Sequence, residues 1–514
     1  MSAGVGRPLS AWVDTWAEHR PDAEALSFGS ERWSWAGFAG QGQRWVRLLG
    51  DQYGVGAGDR VAYLGHNHPG QLFVFFACAR LGAALVPLNW RLTAAELGYQ
   101  LADSEPVVVV VADRFRELVG PWPTLGVQPP EPVEAPEPTE VTGPVAPTAP
   151  VEGRDGDPML IVYTSGTTGR PKGAVLDQRA LLATALNGLF AHDLTPADRV
   201  LTVLPMFHVG GLCIQTLPAV LAGAALRLHE VFDPDAWLTD VERWQPTTSL
   251  LVPATMTALQ RHPAWAQTDL SSLRGIMAGS SVVPEALIRP FHERGVPVGQ
   301  IYGATETGPT ALVLRFEHAM DRVGSCGRAA PHCDVRLVDD VGAEVAEGRA
   351  GEVVVRGPNV LRSYWRDAEA TAAAFLPGGW FRTGDIGVRD AEGWWRIVDR
   401  SKDVVISGGE NIYPAELEVV LADCPEVAEA AVVGRPDPRW GEVPVAVVVP
   451  KEPGTIDEAA VRALFEGRLA RFKHPAAVVF VDALPRNVMG KVQKFRLREQ
   501  LATTEQLASG PITG

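Results

Sequence analysis

Val107–Ala112 is an unbroken run of five valines and an alanine, with no polar face to turn toward water. A strand of that kind must be covered on both faces, which points to the inside of a largely parallel sheet with helices packed above and below. The surrounding sequence supplies the rest of that grammar. Helical spacing of apolar residues over Leu9–His19, Gly37–Leu49 and Asn67–Leu81 alternates with strand-like segments at Ala25–Phe28 and Arg60–Leu64. The expected class is therefore α/β, and 514 residues are several times what one hydrophobic core usually holds, so at least two domains are expected.

Two changes of texture divide the chain. Pro121–Pro150 carries ten prolines among Glu, Thr and Val, a composition that cannot hold a helix or an inner strand and reads as a mobile surface connector. Strand and helix patterns resume with the strand Met159–Tyr163, continue to about Tyr302, and give way to a β-rich zone over Val335–Arg356. From about Arg400 the pattern becomes that of a small α+β domain, with helices at Pro414–Leu421 and Val461–Leu469 and strands at Val427–Val433, Val445–Val449 and Ala477–Val481. The organisation expected is a large N-terminal domain of layered sheets plus a β-rich subdomain over residues 1–399, a junction at 400–402, and a small mobile C-terminal domain over 403–514.

A formal charge of −15 opposes broad attraction to nucleic acid or anionic lipid, so neither is expected as a partner. Against that background, Glu466–Arg498 is a basic island of eight Lys and Arg (Arg468, Arg471, Lys473, Arg486, Lys491, Lys494, Arg496, Arg498), which by charge alone reads as a solvated face. The five cysteines are scattered and odd in number, which argues against a disulfide framework and a CxxC zinc site and suits a cytoplasmic location. No basic-then-apolar signal opens the chain. Val203–Leu226 lacks charge and is long enough to cross a bilayer, but His208, Gln215, two prolines and three glycines make it a buried core segment. No integral membrane segment is expected.

The strongest chemical signal is Tyr163-Thr164-Ser165-Gly166-Thr167-Thr168-Gly169-Arg170-Pro171-Lys172-Gly173, directly behind the strand Met159–Tyr163. Gly166 and Gly169 remove Cβ obstruction so that backbone N–H groups can converge on a phosphate. Hydroxyls of Thr164, Ser165, Thr167 and Thr168 add donors, and Lys172 adds charge. The run is not a Walker A loop, which needs Gly-Lys-Ser/Thr in sequence. Alone, it could also be an ordinary Gly/Thr turn.

This loop resembles the phosphate loop of the adenylate-forming superfamily, and the resemblance extends from about Leu9 to Leu497 with further motifs in the family's order. In detail the chain looks most similar to bacterial acyl-CoA synthetases of the fatty-acid type. Leu204-Pro205-Met206-Phe207-His208-Val209-Gly210-Gly211 matches the segment whose aromatic residue, here His208, gates the acyl pocket. Amino-acid-activating relatives carry an Asp in this region, and none is present here. Gln300-Ile301-Tyr302-Gly303-Ala304-Thr305-Glu306-Thr307 matches the motif whose aromatic ring stacks near adenine and whose glutamate holds Mg²⁺, a hard cation suited to oxygen ligands. Thr164 is implied as a second ligand.

The turn Ala278-Gly279-Ser280-Ser281 falls where the family contacts adenine and substrate. The resemblance thus implies a substrate pocket of His208, Val209, Gly210, Gly211, Gly279, Tyr302, Ala304 and Thr310. Asp385 and Arg400 match residues that hold the ribose hydroxyls, and both are chemically apt for it. Pro485-Arg486-Asn487-Val488-Met489-Gly490-Lys491 matches the terminal motif whose lysine reaches the α-phosphate. Lys402 matches the hinge, and Gly408 and Gly409 match a loop that swings in to line the thiol channel. Arg468, Arg471, Lys473 and Arg486 are candidates for the phosphates of coenzyme A.

The implied activity is an AMP-forming acid:thiol ligase using ATP, Mg²⁺ and coenzyme A. A carboxylic acid and ATP give acyl-AMP and pyrophosphate, and acyl-AMP and CoA give acyl-CoA and AMP. The acid is expected to be fatty or otherwise hydrophobic, with aryl and alicyclic acids left open, as is loading of a carrier protein in place of CoA. A P-loop kinase would instead yield ADP, and a non-catalytic nucleotide-binding regulator would not need Lys491 and Glu306. Oligomeric state is not legible, a homodimer being among the open states.

Overall fold

The computed structural model describes residues 9–128, 156–164, 171–279, 283–400, 403–407, 410–437, 440–469, 471–486 and 492–508. The chain folds as two compact units, Met1–Val335 with Val354–Thr383 and Arg336–Val353 with Gly384–Gly514.

In the first unit the valine run forms the strand Val108–Val111, buried at every residue and parallel to Arg60–Leu64, which is in turn parallel to Ala84–Leu88. These lie in a seven-stranded sheet ordered Ser363–Tyr364, Lys172–Asp177, Pro158–Thr164, Ala84–Leu88, Arg60–Leu64, Val108–Val111, Thr124–Gly126. The last strand corrects the expectation that the Pro-rich stretch is all connector. Pro123 cannot donate to a ladder, but its carbonyl accepts from Val109 N at 2.8 Å, and Thr124–Gly126 continues the pairing at the sheet's edge, where proline is tolerated. The rest of the connector, 129–150, lies outside the described residues.

A nine-stranded sheet of the same unit has at its centre Val298–Tyr302, Gly275–Gly279, Thr248–Leu251, Arg199–Thr202, Ala225–Leu228 and Glu24–Phe28, neighbouring one another in that order and all parallel. The helix Pro69–Leu81 is buried from Pro69 through Ala79, as a helix apolar all round must be. Its N-terminus is capped by His68, whose Nδ1 accepts from Gly70 N at 3.0 Å. The charge-free segment Val203–Leu226 is core, as expected. It is broken into the helical turns Val209–Gly211, Leu212–Thr216 and Leu217–Ala222 before the strand Ala225–Leu228 begins. Among the described residues no helix is long and apolar enough to cross a membrane.

The second unit contains an α+β fold. A five-stranded sheet runs Glu410–Ile412, Val405–Ser407, Gly441–Pro450, Val427–Asp437, with Ala477–Phe480 parallel to Gly441–Pro450. Successive residues of Gly441–Pro450 alternate between two cores, Val448 packing with Leu417 and Phe465 and Val447 with Leu484 and Leu497. The helix expected over Val461–Leu469 is instead Glu458–Ala463, capped by Asp457 at Ala460 N (2.8 Å), and turns follow it through Gly467 at φ +72. Cys78, Cys213, Cys326, Cys333 and Cys424 are all free, as their scatter implies.

Candidate functional site

The strand Pro158–Thr164 ends at Thr164, which lies opposite Lys172 in an antiparallel register. That pairing fixes where two of the expected phosphate-loop residues emerge from the seven-stranded sheet. Ser165, Gly166, Thr167, Thr168 and Gly169 lie outside the described residues. Glu306 arrives from the other sheet, on the short turn Thr305–Thr307 that follows the strand Val298–Tyr302. The turn is held at several points. Thr307 Oγ1 accepts from Ala304 N at 2.8 Å, Asn359 Nδ2 donates to Thr307 O at 2.6 Å, and Leu361 N donates to Glu306 O at 2.7 Å. Gly308 closes it at φ +58, a conformation costly for residues with a Cβ.

The two sheets meet at the Glu306 carboxylate. Oε1 accepts from the Thr164 hydroxyl at 3.1 Å and from the Tyr364 hydroxyl at 3.2 Å, while Lys172 Nζ lies 5.5 Å from the centre of the Tyr364 ring. Burial, reinforced by the Glu306 charge, raises the Tyr364 pKa, so the phenol stays protonated and donates. Glu306 Oε2 has no partner among the described residues. One tied and one free carboxylate oxygen beside two hydroxyls is a donor set that fits a hard divalent cation taking only one or two ligands from protein. Tyr364 was not foreseen from sequence. It lies 58 residues from Glu306 and inside no glycine-rich or charged motif.

Gly279 and Tyr302 are brought together by strand register, Gly279 pairing with Ile301. A Cβ at Gly279 would stand 2.7 Å from Ile301 O, and one at Gly303 would overlap the Pro309 carbonyl, so both positions keep the backbone close. Ala304 and Thr305 lead straight into the Glu306 turn. Thr310 is fully buried, its carbonyl accepting from Asn187 Nδ2 at 3.2 Å. Asn187 belongs to the helix Gln178–His192, against which the turn Leu212–Thr216 that follows the His208 segment also packs, since a Cβ at Gly188 would stand 2.8 Å from Ile214 O. Ser280 and Ser281 lie outside the described residues.

His208 caps the turn Val209–Gly211, Nδ1 accepting from Gly210 N at 3.0 Å. Desolvation lowers its pKa to about 4, so at neutral pH the ring is uncharged. With Nδ1 accepting, the proton resides on Nε2, and the ring presents a neutral donor. Gly211 is required by packing, because a Cβ there would run into the carbonyl oxygens of Leu204 and Pro205.

In the second unit Asp385 is buried and pairs in register with Arg400 across the strands Trp380–Arg389 and Trp395–Arg400. Gly384, at φ +70, donates to Glu352 Oε1 at 3.1 Å and so fixes the backbone beside Asp385. Lys402, Gly408, Gly409 and Lys491 lie outside the described residues. The basic island is not a free positive surface. Arg468 pairs with Asp423, Lys473 with Glu416, Arg486 with Glu429 at 2.9 Å, Lys494 with Glu418 at 2.8 Å and Arg498 with Asp403 at 2.7 Å. Of the four residues expected to meet CoA phosphates, only Arg471 has no acidic partner among the described residues.

This architecture has close counterparts. The AMP-binding enzyme family matches residues 13–365, and the C-terminal domain of AMP-binding enzymes matches residues 416–491. An indoleacetate–CoA ligase of Aromatoleum aromaticum is 48% identical over 96% of this chain and 98% of its own length. A feruloyl-CoA synthase of an Amycolatopsis species is 42% identical over 96% of this chain and 99% of its own. Among solved structures, ATP-bound MatB from Rhodopseudomonas palustris superposes with a TM-score of 0.87 at 33% identity, covering 96% of this chain and 99% of that one. The chain belongs to the AMP-binding enzyme family of adenylate-forming enzymes.

Proposed function

We propose that this acid–thiol ligase acts on an aromatic carboxylic acid, converting it to the acyl adenylate and then to the CoA thioester. As an AMP-forming ligase the protein uses ATP, Mg²⁺ and coenzyme A. The observation that carries the aromatic reading over the fatty one is the pair of relatives at 48% and 42% identity across nearly the whole chain, named for indoleacetate and ferulate. The His208 segment agrees with it. Between Val203 and Leu226 no charged side chain exists to pair with a second ionised group, which suits an acid with a single carboxylate.

In this reading Glu306 and Thr164 hold the Mg²⁺ of the nucleotide, which when bound neutralises phosphate charge. Lys172 contributes a fixed positive charge from the neighbouring strand, and Tyr302 through Ala304 face the adenine. Asp385 and Arg400 take the ribose hydroxyls. The neutral Nε2–H of His208 donates toward the acid without adding a charge that would hold its carboxylate back from the α-phosphorus. Attack by the carboxylate oxygen places negative charge on the phosphorus oxygens, and Lys491 is the group assigned to meet it. The thiolate of CoA then attacks the acyl carbon, and AMP departs.

An acid panel tests the substrate class. With ATP and CoA, indole-3-acetate, ferulate, phenylacetate, octanoate and palmitate are scored by AMP and pyrophosphate release. At least one aryl acid should exceed both fatty acids in kcat/KM by about tenfold or more, the scale on which a shaped pocket discriminates. A preference for palmitate would overturn the aromatic reading and leave the ligase assignment standing. Thioester formed on a carrier protein but not on CoA would replace the acceptor.

A further inference from the structure

Leu204-Pro205-Met206, the three residues that lead into the His208 turn, lie in a buried stretch where backbone polar groups need partners. Pro205 has no N–H, so the segment cannot continue a regular ladder from the strand Arg199–Thr202. Its hydrogen bonds are supplied by two side chains from the other sheet's side of the unit. Asn67 Nδ2 donates to Leu204 O at 2.9 Å and to His229 O at 3.1 Å, and Asn67 Oδ1 accepts from Met206 N at 2.7 Å. Gln71 Nε2 donates to Met206 O at 2.9 Å. Both side chains are buried, and the orientation of the Asn67 amide is fixed, since a flipped amide would set its oxygen against two carbonyls and its NH₂ against an N–H.

Where these residues sit gives the bonds their consequence. Asn67 follows the strand Arg60–Leu64, and Gln71 is in the first turn of Pro69–Leu81. The seven-stranded sheet that contains Arg60–Leu64 also carries Thr164 and Lys172. Leu204–Met206 instead hang from the nine-stranded sheet, whose strand Val298–Tyr302 leads to Glu306. The Leu204 carbonyl that Asn67 holds is also one of the atoms a Cβ at Gly211 would strike, 2.5 Å away, so moving it moves the turn that His208 caps.

We propose that Asn67 and Gln71 are positioning residues that set the register of the acid-binding segment against the phosphate-binding strands. They touch neither substrate. Their effect is to hold the acid's carboxylate at the distance and angle from the nucleotide's α-phosphorus that in-line attack requires, a geometry in which small displacements are expensive. The proposal rests on the assignment of the His208 segment to the acid pocket.

The test uses the full-length enzyme with whichever acid of the panel the wild type turns over best, so that an error in the aromatic reading leaves it intact. Gln71→Met keeps length and apolar volume but removes the donor, and Asn67→Ala removes all three bonds. For each variant three quantities are measured: KM for the acid, the maximal rate of acid-dependent ATP–pyrophosphate exchange, and ATP affinity in the absence of acid. Thermal unfolding is followed alongside, so that a misfolded Asn67→Ala protein is recognised and the outcome is then decided by Gln71→Met. The expected result is a rise of about fivefold to tenfold in acid KM and a comparable fall in exchange rate, with ATP affinity held within about twofold. Parallel loss of ATP affinity, or wild-type kinetics in a folded Gln71→Met protein, overturns the proposal. A folded His208→Ala protein with wild-type KM for the acid would instead count against the pocket assignment beneath it.

Discussion

The Tyr364 hydroxyl donates to Glu306 Oε1 at 3.2 Å, and the Thr164 hydroxyl reaches the same oxygen at 3.1 Å from a strand of the same sheet. Two neutral donors on one carboxylate oxygen hold the carboxylate in a single orientation and leave its second oxygen without a partner among the described residues. Tyr364→Phe removes one donor while keeping the ring that lies beside Lys172. The expected result is an apparent Mg²⁺ requirement raised about tenfold, the scale of one hydrogen bond to a charged group. KM for the acid should stay within about twofold. Mn²⁺ binding followed by electron paramagnetic resonance in the presence of ATP should weaken in step. Unchanged Mn²⁺ affinity would contradict the orienting role.

Gly308 ends the Glu306 turn at φ +58, and a Cβ there would overlap the Thr184 hydroxyl and the Asn359 carbonyl. Neither the dihedral nor the backbone neighbour can relax cheaply. Gly308→Ala should therefore destabilise the protein by about 2–4 kcal/mol, combining left-handed strain with overpacking. It should also raise KM for Mg·ATP, because Asn359 holds the same turn through Thr307 O. Chemical denaturation and steady-state kinetics check the two effects separately, and stability within about 0.5 kcal/mol of wild type would refute the packing argument.

Burial lowers the pKa of His68 to about 4, of His208 to about 4 and of His192 to about 3, against an ordinary value of 6.5. Between 6.5 and the lowered values an unfolded chain binds protons that these native imidazoles refuse. Stability therefore rises with pH across that window, and it falls as pH drops from 6.5 toward 4. Unfolding free energies at pH 7.5, 6.0 and 5.0 should decline in that order, and the imidazole resonances of His68 and His208 should keep neutral-form shifts down to about pH 5. A His208 resonance titrating near 6.5 would show that the ring is solvated, and would remove the argument for a neutral donor in the acid pocket.

The sheets were legible where one residue type dominated a segment. The valine run could only be an inner strand, and Met159–Tyr163 could only lead into its Gly/Thr loop, so the strands Val108–Val111 and Pro158–Thr164 emerged almost to the residue. Residues whose role comes from a distant partner were not legible. Tyr364, Asn67 and Gln71 are single polar side chains in ordinary sequence, and their partners lie 58, 137 and 135 residues away. The ion pairs of the basic island are hidden for the same reason. Counting charge within Glu466–Arg498 misses Asp403, Glu416, Glu418, Asp423 and Glu429, which precede it in the chain and neutralise much of it in the fold. The helix assigned to Val461–Leu469 ran long because apolar spacing carries on past Ala463, whereas Gly467 takes a positive φ that a helix does not use.

Lys491 offers the sharpest separation of the two half-reactions. Adenylation develops negative charge around the α-phosphorus as pyrophosphate leaves, and a fixed ammonium lowers that barrier most where the charge is greatest. Thiolysis of the acyl adenylate begins from a preformed mixed anhydride, and its charge develops on the acyl oxygen and the departing AMP. Lys491→Ala should therefore reduce acid-dependent ATP–pyrophosphate exchange by about a hundredfold or more, on the scale of losing one charged transition-state contact. The rate of CoA thioester formation from supplied acyl-AMP should remain within about threefold of wild type, since an interaction made only in the first transition state is lost only there. Equal losses in both assays would mean that the lysine supports the fold or binds AMP in general, and the adenylation role would have to pass to another cation, for which Lys172, 5.5 Å from the centre of the Tyr364 ring, is a candidate.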